Sequence, residues 1–285
     1  SLCLFMFFLS PVFGDENSAV SFDKELPENN IVTIQPDSLR ILHNPLTGWV
    51  LYASMGVDAA DFWAQYDHMY IPELGHNVSV TDYAHTLYIR ASWTDFNPQE
   101  DVYGWKIDSN LRAYIEGAYQ RNMRLAFRVV VDSRDKRTEF TPQFVKDAGA
   151  KGFMNKGKWS PYSDDPVFQK YYTKFVKALA KDFNDPSKVE FIDGFGLGKW
   201  GEYHTMIYST GDDTPKKAVF DWVTDIYSQA FDKVPVVINY HRWIGAGKDW
   251  VDDEHFAADS EEMLEGAIKK GYSLRHDAFG MTTYY

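Results

Sequence analysis

Phe191-Ile-Asp-Gly-Phe-Gly-Leu-Gly-Lys-Trp-Gly-Glu-Tyr-His204 begins as a short apolar run and turns glycine-rich. It then presents Lys199, Trp200, Glu202, Tyr203 and His204 within six residues. The run from Phe191 to Leu197 reads as a buried parallel strand, since such a strand is covered on both faces and need not alternate. Glycines at 194, 196, 198 and 201 admit close backbone approach and unusual dihedrals. A carboxylate just past the C-terminal end of a strand, amid aromatics, stands where an α/β barrel carries its reacting groups. A solvated Glu at an ordinary strand end satisfies the same spacing.

Outward from this stretch, strand and helix patterns alternate. Asn44 to Tyr52 is a turn running into a strand, and Asp58 to Tyr70 is a helix or an irregular aromatic loop. His85 to Trp93 is a second strand, and Arg124 to Asp132 a third with a β-branched centre. Asp108 caps a helix with apolar positions 111, 114, 115, 118 and 119, and Asp165-Pro166 opens a long helix through Phe183. The segment from Ser133 to Asp165 shows little periodicity, and loops of that length are usually functional. A helix near 215–231 leads to a fifth strand, Val234 to Tyr240, and a helix near 260–270 precedes a sixth, expected at Ala278 to Thr283. On that count Arg275 and Asp277 stand at the start of strand six, the stability end of a barrel, and are set aside as catalytic residues. Strands alternating with helices imply a parallel sheet. A doubly wound sheet is the competing arrangement, but no GxGxxG opens a helix after the first strand, which disfavours a nucleotide site.

Composition narrows the partners. The 285 residues carry 29 Lys+Arg against 41 Asp+Glu, a net charge of −12, which argues against nucleic acid or an anionic membrane surface. The aromatic share is 16%, compatible with flat apolar platforms for sugar rings. Cys3 is the single cysteine, so no disulfide forms within the chain. No HExxH or comparable spacing accompanies Glu202, His204 and His241, so neither metal nor cofactor is expected. Residues 1–14, SLCLFMFFLSPVFG, are uncharged and too short to span a bilayer. With the polar segment 15–38 behind them they read as the remnant of a secretory signal peptide, implying a secreted or periplasmic protein with no integral membrane association. A buried N-terminal helix or strand is the other reading of that run.

Several pieces together resemble the (β/α)8 glycoside hydrolases that place an acid/base Glu after strand four and a nucleophile Glu after strand seven. Asn44-Pro-Leu-Thr-Gly-Trp49 is similar to the first strand of the β-galactosidase-like branch, and Arg90-Ala-Ser-Trp-Thr-Asp-Phe-Asn-Pro-Gln-Glu-Asp-Val-Tyr-Gly-Trp105 to its second strand and loop. Gly198-Lys-Trp-Gly-Glu-Tyr-His204 falls where the fourth-strand motif belongs. That strand more often ends in Asn-Glu, whereas here Gly201 precedes Glu202, and a branch of barrel proteins carries a similar Trp-Gly-Glu. The resemblance covers about residues 44–285. It implies a TIM (β/α)8 barrel over 39–285, truncated after about six βα units, with Glu202 as general acid/base. It further implies sugar contacts from Arg90, Trp93, Trp200, Tyr203, His204, Asn239, His241 and Tyr284. Arg90 is also a candidate for holding the nucleophile or for a core ion pair, a satisfied structural histidine is the equal alternative for His241, and core packing is the commoner fate of any single Trp.

The chemistry then expected is retaining cleavage of a poly- or oligosaccharide by two carboxylates about 5 to 5.5 Å apart. The acid/base carboxyl must hold a proton, as the apolar faces of Trp200 and Tyr203 would favour. The chain reads as a fragment at both ends. With the nucleophile beyond residue 285, these residues alone are expected to be a poor catalyst. Two other classes remain: a carbohydrate-binding barrel that hydrolyses nothing, and an exported scaffolding protein. The scaffold predicts that Trp93, Trp200 and Tyr203 do not line one cleft.

Overall fold

The computed structural model describes residues 48–53, 55–132, 139–155, 157–241, 243–247 and 259–276. All of them belong to one compact unit, Leu42–Tyr285. The leader, the polar segment behind it, Tyr284 and the strand expected at 278–283 lie outside the described residues.

In chain order the elements are β1 (Trp49–Tyr52), α1 (Ala59–Asp67), the hairpin β2 (Met69–Ile71) and β3 (His76–Val78), β4 (Ala84–Ser92), α2 (Trp93–Phe96), α3 (Gly104–Ile107) and α4 (Ser109–Gln120). There follow β5 (Arg124–Val130), α5 (Gln143–Asp147), the hairpin β6 (Gly152–Asn155) and β7 (Lys158–Pro161), α6 (Pro166–Phe183) and β8 (Val189–Asp193). The last are α7 (Lys216–Ala230), β9 (Val236–Asn239), α8 (Ser260–Lys269) and β10 (Ser273–Arg275). Six strands form one sheet in the order β1-β4-β5-β8-β9-β10, every pairing parallel. Parallel strands in unbroken chain order with helical crossovers form an arc of the (β/α)8 architecture. The sixth strand is therefore Ser273–Arg275, and Arg275 closes its described part beside Asn239 at the end of β9. This corrects the placement of Arg275 at the start of a later strand.

The period-two geometry of strands sorts their side chains onto two faces. Leu87, Ile89, Ala91, Leu125, Phe127, Val129, Ile192, Val236 and Ile238 join the apolar core shared with the helices. The opposite face carries Tyr88, Arg90, Arg128, Asp193, Asn239 and Arg275. The helices answer the first set. In α4, Leu111, Tyr114, Ile115 and Ala118 are buried, and in α6 Phe168, Tyr172, Phe175, Val176 and Leu179 are. Burying each large apolar side chain stabilises the fold by about 2 kcal/mol. Both caps form as expected: Asp108 accepts from Leu111 N at 2.7 Å and Asp165 from Phe168 N at 2.9 Å. The long aperiodic segment contains α5 and the β6–β7 hairpin.

Strand β8 stops at Asp193 instead of continuing to Leu197, and beyond it two carbonyls accept from side-chain hydroxyls and a third from the backbone just past β5. Tyr272 Oη donates to Gly194 O at 2.7 Å, Tyr172 Oη to Phe195 O at 3.2 Å, and Val131 N to Gly196 O at 3.2 Å. Among the described residues, no helix is long and apolar enough to cross a membrane.

Candidate active site

The chain leaves β8, the fourth strand of the sheet, through backbone that few residues adopt. Gly196, Gly198 and Gly201 have φ between +71° and +73°, and Trp200, Tyr203 and Thr205 have φ of +58°, +62° and +50°. Non-glycine residues in this region are held there by their surroundings. Here the loop bonds to itself: Lys199 N donates to His204 O at 3.0 Å, Tyr203 N to Leu197 O at 2.9 Å, and Glu202 N to Lys199 O at 3.1 Å. Gly245 N adds a bond to Tyr203 O at 2.7 Å. The consecutive side chains from 200 to 204 therefore point in sharply different directions.

Glu202 stands at the C-terminal end of the sheet and is only 8% exposed. Its Oε1 accepts from Arg128 Nη1 at 3.1 Å, and its Oε2 lies 3.6 Å from His204 Nε2. Arg128 Nε donates to Asp193 Oδ2 at 2.9 Å. Asp193 also accepts from Tyr88 Oη and, at 2.5 Å through Oδ1, from Arg275 Nε. Among the described residues, two guanidinium groups, that of Arg275 half-buried, and two carboxylates are thus linked in one set, and ions tolerate burial when paired in this way.

His241 fixes the main chain of Glu202. Trp243 N donates to its Nδ1 at 3.1 Å, so the neutral ring carries its proton on Nε2 and donates to Glu202 O at 2.7 Å. Both ring nitrogens of this wholly buried histidine are engaged within the protein, which places His241 as a support of the loop. His204 is buried with Nδ1 2.9 Å from Thr205 Oγ1, and its ring stands edge-on to Trp200 and His241. Asn239 is wholly buried at the end of β9. Half-buried Arg90 donates through Nη2 to Trp200 O at 2.7 Å and through Nη1 to Tyr52 Oη at 3.4 Å. Trp200 is half-buried too, with Lys199 Nζ 4.3 Å from its ring centroid.

The remaining expected sugar platforms are elsewhere. Ser92 and Asp95 form a capping box that starts α2 at once after β4, and this turns Trp93 away from the sheet end. Trp93 is fully enclosed by Phe144, Phe168, Tyr172 and Phe175, at centroid distances of 5.2 to 6.3 Å. Tyr203 is fully buried against Phe220 at 5.5 Å, and burial, then the charges at Tyr208, Asp221 and Tyr272, pushes its phenol well above its ordinary range. Trp93, Trp200 and Tyr203 therefore do not line one cleft, which is the arrangement that the scaffold reading predicts. Burial closes off Trp93 and Tyr203 as platforms, leaving Trp200 with a surface to offer.

Sequence reasoning passed over Tyr88, Arg128 and Asp193 and set Arg275 aside. The signal was present: Arg128 and Asp193 are charges inside apolar runs, and a buried charge requires a partner. Among the described residues, no group of three or more His, Cys, Asp or Glu side chains is placed to hold a metal ion.

No protein-family profile matches the chain, and no curated protein does. Several solved structures share part of its course. An endo-glycoceramidase II from Rhodococcus sp. is 13% identical, with a TM-score of 0.43 over 78% of this chain and 60% of that one. The intracellular xylanase of Thermoanaerobacterium saccharolyticum is 9% identical, with a TM-score of 0.44 over 79% of this chain and 61% of that one. An exo-β-1,4-mannosidase from Opitutaceae bacterium strain TAV5 is 14% identical, with a TM-score of 0.41 over 57% of this chain and 27% of that one. This chain spans 27% to 61% of the length of those three structures. At such identities and scores the likeness says nothing of substrate or of individual residues.

Proposed function

We propose that this chain belongs to an exported glycoside hydrolase that cleaves a poly- or oligosaccharide with retention. Glu202 is its general acid/base, and its nucleophile is expected after a seventh strand, beyond residue 285. The observation that carries the reading is the position of Glu202: just past the fourth parallel strand, at the C-terminal end of the sheet, on a loop held in left-handed backbone. Such a carboxyl protonates the glycosidic oxygen as the nucleophile attacks the anomeric carbon, then takes a proton from the water that releases the sugar. His204 stands 3.6 Å from it, Trp200 is edge-on to His204, and Arg90 bonds the Trp200 carbonyl, so half-buried Trp200 offers the aromatic surface nearest to this group.

A second reading is a carbohydrate-binding barrel without hydrolysis. It is favoured by the Arg128 contact, which already satisfies one oxygen of Glu202 as in a structural ion pair.

The test is hydrolysis of a panel of aryl glycosides and oligosaccharides by the chain carried through to its natural C-terminus, beside its Glu202→Gln counterpart. Turnover that falls by about a hundredfold or more in the variant supports the assignment, given the usual worth of general acid catalysis. Turnover unchanged by the substitution would remove Glu202 from the mechanism. Silence from both folded proteins would favour the binding barrel.

A further inference from the structure

We propose that Arg128 is the positioning residue of Glu202, that Asp193, Tyr88 and Arg275 hold Arg128, and that Oε2 of Glu202 is the oxygen that exchanges the proton. The inference rests on the glycoside hydrolase reading of the same site. Arg128 projects from β5 and is 2% exposed, so its guanidinium has almost no water to turn toward. Its donors diverge: Nε is fixed on Asp193 at 2.9 Å and Nη1 on Glu202 at 3.1 Å. Its Cζ lies 5.8 Å from the ring centroids of both Tyr88 and Phe195, which limits rotation of the plane. Asp193 is fully buried and held in turn by Tyr88 and by Arg275 from the last described strand.

A planar fork anchored at one end transmits its orientation to whatever the other end binds. The end here is Oε1 of Glu202. The main chain of Glu202 is pinned independently by His241 at 2.7 Å. With backbone and Oε1 both fixed, Oε2 remains as the oxygen not bonded to Arg128, beside His204 Nε2 at 3.6 Å. A lysine at position 128 would place a point charge without the fork, keeping the charge and losing the orientation.

The experiment is steady-state kinetics of the full protein on whichever glycoside it turns over, with Arg128→Lys, Arg128→Ala, Glu202→Gln and the Arg128→Ala/Glu202→Gln double variant. The expected result is a kcat at least about tenfold lower in Arg128→Lys with KM within about threefold, the split that marks an interaction acting in the transition state. Arg128→Ala should fall further, and guanidinium ion at tens of millimolar should restore part of its kcat but none of the double variant's. The double variant should be no slower than Glu202→Gln alone, since residues that act as a unit are not additive. Arg128→Lys within twofold of the parent in kcat, or Arg128→Ala additive with Glu202→Gln, would overturn the positioning role while leaving the hydrolase reading intact. No turnover by the parent on any glycoside would overturn the hydrolase reading and any catalytic role for Arg128 with it. Thermal unfolding of the same variants decides the contact independently of activity. Loss of Tm in the double variant well short of the sum of the single losses supports the Arg128–Glu202 pair, and strictly additive losses overturn it.

Discussion

Tyr203 shows how much of the site a single side chain can hide. It lies between Glu202 and His204 in the chain, yet its phenol is fully buried in the opposite direction, with no hydrogen-bond partner among the described residues. A buried hydroxyl without a partner costs about 1 to 3 kcal/mol of desolvation, so removing it relieves a penalty. Tyr203→Phe keeps the ring against Phe220 and is expected to leave Tm unchanged or raise it slightly, as followed by thermal circular dichroism. A loss above about 1 kcal/mol would mean that the hydroxyl is hydrogen-bonded after all. His241 makes the complementary point: of its two readings, a sugar contact or a satisfied structural histidine, its bond to the Glu202 carbonyl fits the second.

At the scale of the element, the turn out of β8 depends on Gly196. Its φ is +73°, and a Cβ there would stand 2.2 Å from the Val129 carbonyl oxygen and 2.7 Å from the Tyr172 hydroxyl. Gly196→Ala is expected to destabilise by at least about 2 kcal/mol, from left-handed strain together with displaced backbone. Gly211, with φ +79° and nothing within 4 Å of its would-be Cβ, is the control. Gly211→Ala meets only the strain, about 1 to 2 kcal/mol. Chemical denaturation of both variants measures the difference, and equal losses would mean that the Val129 contact is relieved without consequence. The carbonyls around Gly196 tie this turn to Tyr172 of α6 and Tyr272 after α8, so the loop bearing Glu202 is braced by the outer helical layer.

Over the whole molecule, buried tyrosines set the response to alkali. Burial raises Tyr172, Tyr203 and Tyr272 well above 10.0, and raises Tyr208 and Tyr227 as well. A group whose folded value is raised contributes stability that is fully present below its unfolded value. That stability is lost as pH climbs through the interval toward the folded value. Absorbance titration at about 295 nm is therefore expected to show exposed tyrosines ionising near their usual value of about 10. The buried set should ionise only together with loss of circular dichroism. A single smooth titration of all tyrosines in the folded protein would contradict this burial.

The order of strands and helices was legible because periodicity and caps are local. Asp108 and Asp165 cap the helices they precede, and α4 and α6 bury the stripes their spacing predicts except for half-buried Tyr119 and Tyr171. The position of Glu202 past a fourth parallel strand was legible for the same reason. The capping box at Ser92 was equally local and went unread, so Trp93 was expected at the sheet end when it lies in the core. The pairing of Arg128 with Asp193 and Glu202, 65 and 74 residues apart in the chain, was decided by tertiary structure alone. Each is a charge in its own segment, and only the register of β4, β5, β8 and β10 brings these ions together. The loop from 194 to 205 belongs to the same class. Its direction depends on hydroxyls and amides from distant elements, and no local propensity selects left-handed backbone for Trp200, Tyr203 and Thr205. Local sequence determined which elements form, whereas the site itself is a product of long-range partners, because buried charges and non-strand carbonyls take their geometry from whatever satisfies them.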